Sequence, residues 1–230
     1  MTLYSYVLRY DFGAAPNPFG GICTLVICKP RVRRAAQIGD WIVGLGSANT
    51  PLGDLSSNVI YAMRVSRVMT MAEYDQYCQK ELSIKLPQWN GTECERRVGD
   101  CIYDFADPTN PILRTSVHDE GNRATDLGGI SALLSDHYYY FGDKAPVLPN
   151  ELQVIMHRHP GHKSHANDPY RQQFIEWIES QGHETNRVLG NPLLWNEICE
   201  PNMEEARTRC ACAHKQDDED DMKYEASHSS

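Results

Sequence analysis

The sequence predicts a strand-dominated α+β domain, closer to a small barrel than to a doubly wound sheet, with flanking helices. Short runs rich in aromatic and β-branched residues, such as "LYSYVLRY", "GICTLVIC" and "WIVGLGS", point to strands. Helical spacing is clear in "MTMAEYDQYCQKEL" and "DPYRQQFIEWIESQG". Neither GxGxxG nor GxxxxGK[ST] occurs, so dinucleotide and P-loop nucleotide binding lose their usual sequence support.

Taken in order, "LYSYVLRY" is the first strand and "GICTLVIC", almost wholly apolar, a buried second one. "KPRVRRAAQIGD" reads as a turn or short helix, "WIVGLGS" as a third strand ending in glycine and serine, and "VIYAMRVSRV" as another strand. In the helix that follows, Thr70 is a candidate N-cap, and Glu73 three residues on completes a capping box. From about Ser83 to Gly129 the chain is loop-rich, with repeated Pro, Gly, Asn and Asp. Order resumes at "ISALLSDHYYYFG", a short strand or turn before an aromatic strand, and "ELQVIMHRH" is a further strand candidate. The last helix sets Phe174, Ile175 and Ile178 on one face and ends at Gly182.

The bulk numbers fit an ordinary globular protein: 230 residues, 41% hydrophobic, mean hydropathy -0.52. One domain is expected over 1–200, followed by an acidic, disordered tail over 201–230 that holds "KQDDEDDMKYEASHSS". No apolar run approaches the ~20 residues of a membrane span, and "MTLYSYVLRY" lacks the basic and apolar regions of a secretory signal. Eight scattered cysteines without a CxxC pair are then expected to be reduced thiols in a cytoplasm. Neither Cys23 with Cys28 nor Cys210 and Cys212 with His214 makes a tight zinc pattern, and no metal or cofactor is expected. The net charge of -9 disfavours nucleic acid at first sight. Basic residues nevertheless cluster in "CKPRVRRAAQ" and "RVSRV", which makes Lys29, Arg31, Arg33 and Arg34 candidate phosphate contacts.

The run "YSYVLRYDFGAAPNPFGGICTLVICKPRVRRAAQIGDWIVGLGS", with "YYYFGDKAP" and "GHKSHAND...FIEWIE" downstream, resembles the nucleotide-modification-associated domain families of bacteria and phages, the second in particular. The resemblance covers most of Tyr4 to Trp195 and implies a role around modified DNA bases without supplying a mechanism. A weaker likeness, in "IGDWIVGLGS...NVIYAMRVSRVMTMAEYD", is similar to PUA-like modules, including the EVE and ASCH groups. It implies a small barrel with a pocket for a flipped base. "HPGHKSH" is faintly similar to the histidine-proline motif of uracil-DNA glycosylases, whose other motifs are absent.

With these resemblances in view, the chemistry of a base pocket is sought in three places. Extraction of a base costs a few kcal/mol, and each stacked base returns ~1–3 kcal/mol. Phe19, Trp41, Tyr138 and Tyr139 (with Tyr140 beside them) supply aromatic faces and Ser47 a hydroxyl, although any single one of the aromatics reads first as a core residue. In "RYDFGAAPNPFGG" two prolines flank Asn17 and stiffen the loop that begins at Asp11. Asp11 suits stabilisation of a sugar cation or activation of water, with Asn17 orienting; the plain alternative is an Asx-turn and an inert loop. In "HRHPGHKSHAND", His157 and His159 share a side if the strand continues, and His162 or Lys163 would meet a leaving base or phosphate. Lys163 as a Schiff-base nucleophile is a further option.

The function expected is recognition of a modified base, in double-stranded DNA, with hydrolysis of the base-sugar bond. The rivals are a non-catalytic reader of modified nucleotides and an enzyme acting on free ones.

Overall fold

The computed structural model describes residues 1–157, 161–199, 205, 207–211 and 213. His159, Cys212, His214 and the acidic run that follows, singled out from the sequence, lie outside these residues.

The main sheet has six strands in the order β10-β1-β3-β4-β9-β11. They are β1 (Leu3–Val7), β3 (Trp41–Leu45), β4 (Val59–Arg64), β9 (Tyr138–Tyr140), β10 (His162–Lys163) and β11 (Arg187–Val188). β1 and β3 run parallel, Leu3 beside Trp41 and Val7 beside Leu45. Parallel neighbours need a crossover, and here it consists of the opening loop, β2 (Cys23–Leu25) and α1 (Pro30–Ala35). β2 pairs with β8 (Ser131–Ser135), which pairs with β5 (Arg67–Thr70) in a three-stranded antiparallel sheet. β6 (Tyr103–Asp104) and β7 (Ile112–Leu113) form a hairpin-like pair within the loop-rich middle.

Both faces of the main sheet are covered, which explains why its strands read as nearly unbroken apolar runs. Tyr4, Tyr6, Ile42, Tyr61 and Tyr138 face the larger core, shared with the second sheet and α2 (Met71–Lys80). Leu3, Trp41, Val43 and Phe141 face a smaller core closed by Phe174 and Ile178 of α5 (Arg171–Ser180). The capping box is present as expected: Thr70 Oγ1 accepts from Glu73 N–H, and Glu73 accepts from Thr70 N–H. α3 (Cys94–Arg97), α4 (Arg123–Gly128) and α6 (Trp195–Cys199) are short.

The α+β class holds. No sheet among the described residues closes on itself, because β10 and β11 form the two outer edges of the large one. Two elements differ from expectation. "VIYAMRVSRV" is not one strand: the chain leaves the main sheet after Arg64 and enters the second at Arg67. "ELQVIM" forms a 3₁₀ segment, Asn150–Ile155, in which Leu152 and Ile155 stand three residues apart and are both buried. A three-residue period puts them on one side, whereas a strand would set them on opposite faces.

The expectation of reduced cysteines fails at Cys94 and Cys199, which are disulfide-bonded with Cα atoms 5.4 Å apart. The cause is the packing of α3 beside α6, which spacing along the chain does not reveal. Cys23, Cys28, Cys78, Cys101 and Cys210 lie outside this disulfide and are buried. No helix of the described residues is long and apolar enough to cross a membrane.

Candidate functional site

The parallel strands β1 and β3 end side by side, Val7 next to Leu45, and a cleft of about 650 Å³ opens at those ends. Ligands of open sheets with parallel strands bind outside the carboxyl ends of the strands, and the volume suits a small organic ligand. Beyond β1 the chain continues in register for one residue, Leu8 N–H donating to Leu45 O, and then delivers Arg9 and Tyr10 to the cleft. Beyond β3 come Gly46, Ser47 and Asn49. The loop from Ser47 to Asn58 folds back to supply Asp54 and Ser56, and His157 closes one side.

This loop is held by its own polar groups. Ser47 Oγ accepts Asn49 N–H, Ser47 O accepts Leu55 N–H, and Asp54 Oδ1 accepts Ser56 N–H at 2.9 Å. Thr50 and Gly53 exchange two backbone hydrogen bonds. A Cβ on Gly46 would run into the carbonyl of Leu55, so glycine is required where loop and strand end approach.

Of the residues singled out from the sequence, Ser47 and His157 line the cleft. Asp11 is not among the lining residues and is buried: Oδ1 accepts Tyr140 O–H at 2.5 Å and Gly13 N–H at 3.3 Å, and Oδ2 accepts Leu193 N–H at 3.2 Å. Burial pushes its carboxyl up to about 6, against the pull of those three donors. Asn17 is also buried, with its amide donating to Val98 O and its oxygen accepting from Phe19 N–H and Lys85 Nζ. Both side chains therefore make Asx-type turns and long-range anchors, and the opening loop is a rigid wall.

The aromatic candidates are core residues. Phe19 packs on Trp195 with ring centroids 5.2 Å apart, Trp41 meets Phe174 edge-on, and Tyr139 stacks on Phe141. Tyr138 O–H donates to Pro18 O at 2.7 Å. Arg33 is wholly buried and donates to four carbonyls, those of Cys28, Thr125, Asp126 and Ser131, so no face of it meets solvent phosphate. Lys29 is buried over the ring of Tyr6, while Arg31 and Arg34 are exposed and Arg34 donates to Gly128 O. His162 and Lys163 form the edge strand β10 beside β1; His162 lies against Tyr4 and Lys163 Nζ donates to Val154 O.

Arg9, Tyr10, Asn49, Asp54 and Ser56 also line the cleft and are not singled out by the sequence. Their signal was the loop "ANTPLGDLSSN" after a strand ending in Gly-Ser, but its meaning depends on β1 and β3 being parallel neighbours. Among the described residues one group of ligand-type side chains, Cys28, His118 and Asp126, brings all its donor atoms within 4.8 Å of one another. It is buried and separate from the cleft lining.

Comparison with curated proteins and with solved structures returns no match. The family model described as nucleotide modification associated domain 2 matches residues 1–199. That span takes in both sheets, the cleft and every element named above, and the chain belongs to the nucleotide modification associated domain 2 family.

Proposed function

We propose that this domain binds a modified nucleotide of DNA in the cleft at the ends of β1 and β3. The observation that carries the reading is the set of residue types that line one cavity of about 650 Å³: Tyr10, Arg9, Asn49, Ser47 and Asp54. An aromatic face holds a base by stacking. A guanidinium matches a phosphate, and an amide with a hydroxyl can read a base edge. The reading needs an open cleft and not a closed barrel. Family membership supports the nucleotide as ligand.

A second reading, hydrolysis of the base-sugar bond, is favoured by Asp54 and His157 lining the same cleft. A carboxylate stabilises the sugar cation or activates water, and an imidazole protonates the departing base. Asp54 then takes the part that the sequence assigned to Asp11, whose oxygens face interior donors.

The test is titration of modified oligonucleotides and free modified nucleotides, followed by mass spectrometry for released base. Tyr10→Ala and Asn49→Ala should each weaken binding about tenfold, the worth of one stacked base or one lost edge contact. Asp54→Asn, which keeps an oxygen to accept Ser56 N–H, should stop base release. Binding without release in the wild type leaves a reader. Equal affinity of the Tyr10 and Asn49 variants and the wild type would remove the cleft as the site.

A further inference from the structure

We propose that Cys28, His118 and Asp126 form a thiol–imidazole–carboxylate triad that carries out acyl transfer on an amide or ester substrate. The proposal does not rest on the cleft, with which the triad shares no residue.

The chain around Cys28 has the form strand, tight turn, helix: β2 leads through Val26 and Ile27 to Cys28, and α1 starts at Pro30. Cys28 and Lys29 both sit in the left-handed region, at φ 55° and 43°. Two successive non-glycine residues there are costly and persist where surrounding contacts over-determine them. Those contacts are present. Cys28 N–H donates to Asp126 Oδ1 at 3.1 Å, and Cys28 O accepts Arg33 Nε at 2.7 Å. Arg33 Nη2 in turn donates to the backbone oxygen of Asp126 at 2.5 Å. A turn of this shape lifts a nucleophile out of the strand and aims its side chain away from its neighbours.

The base and its orienting group are in line. His118 Nδ1 is 2.7 Å from Asp126 Oδ2, and His118 Nε2 is 3.7 Å from Cys28 Sγ. In the tautomer with the proton on Nδ1, His118 donates to Asp126 and presents Nε2 to the thiol as acceptor. Both oxygens of Asp126 accept hydrogen bonds, Oδ2 also from Tyr103 O–H at 3.2 Å. The carboxylate is thus an orienting group. A metal ion would have to take Sγ and Nε2 and displace a donor to engage Asp126. His118 and Asp126 are wholly buried, and Cys28, at 5% exposure, is the most exposed of the three and of the five described cysteines outside the disulfide.

The step balances without a redox partner. His118 Nε2 takes the thiol proton, the thiolate adds to the acyl carbon, and the carbon–nitrogen or carbon–oxygen bond breaks as the imidazolium protonates the leaving amine or alcohol. This leaves a thioester on Cys28. Water, deprotonated by His118, then releases the acid and restores the thiol.

The experiment treats the full chain under native conditions with iodoacetamide, and separately with p-nitrophenyl acetate, and resolves modified cysteines by mass spectrometry. Cys28 should be alkylated at least about tenfold faster than Cys23, Cys78, Cys101 or Cys210. The ester should give a burst of about one nitrophenolate per chain and an acetylated Cys28. His118→Gln should slow alkylation about tenfold, and thermal melting will show whether that variant is folded. The wild-type arms stand without it. Alkylation of Cys28 at the rate of the other buried thiols with no acetylation would overturn the proposal. So would stoichiometric Zn²⁺ binding that His118→Gln abolishes, since the cluster would then be a metal site.

Discussion

The carboxylate of Asp11 is interior, with 1% of the residue exposed and three donors turned on it. A carboxylate after a strand, in a proline-stiffened loop, looks like a catalyst; in the fold it holds Tyr140, Gly13 and Leu193 together. Its interior position has a thermodynamic signature. The carboxyl titrates near 6 in the folded chain and near 3.8 ordinarily, burial being the main cause. Between those values the folded state keeps a proton that the unfolded state has released. Stability therefore falls as pH rises through that window, by at most about 3 kcal/mol at 1.36 kcal/mol per pH unit. Asp11→Asn carries no such proton. Urea midpoints should show the variant gaining on the wild type from pH 4 to pH 7, and parallel profiles would mean that Asp11 is not desolvated. Asn17 and Arg33 follow the same rule as Asp11: residue type was visible, but the donors and carbonyls that absorb these groups come from distant segments.

Elements whose signal is local were legible. The capping box at Thr70 and Glu73 involves four consecutive residues, and α5 buries Phe174 and Ile178 as its spacing implied. Elements defined by pairing were not. No local pattern marks the exit of β4 from the main sheet into β5, or makes β1 parallel to β3, and the cleft exists because of that second fact. Gly44 tests the packing that results. It lies opposite Tyr61 in the β3–β4 pair, and an added Cβ would come within 2.4 Å of the edge of the Tyr61 ring, whose hydroxyl meets that of Tyr6 at 2.7 Å. Gly44→Ala should destabilise the fold by about 1–3 kcal/mol, the usual cost of overpacking a filled core. A melting temperature equal to that of the wild type would show that the ring can move aside.

At the scale of the molecule, charge and architecture bear on the ligand together. The chain carries -9 overall, Arg33 is interior, and the cleft offers the guanidinium of Arg9. A protein that grips one or two phosphates should show a slope of log affinity against log salt of about -1 to -2, whereas tracking a duplex through six contacts would give a slope steeper than about -5. Titration of one modified duplex across salt concentrations decides between them, and the steep result would require a phosphate-binding face outside the cleft. Covering both sides of the sheet also ties the loop-rich middle to the beginning of the chain. Lys85 is wholly buried, with burial holding its amine below the ordinary range, and its Nζ donates to Asn17 O, Asn17 Oδ1 and Ile22 O at 2.7–2.8 Å. An acylating reagent cannot reach that amine while the three bonds stand. Acetylation of Lys85 would therefore serve as a clock for the parting of two segments more than sixty residues apart, ticking at the rate at which the opening loop lets go.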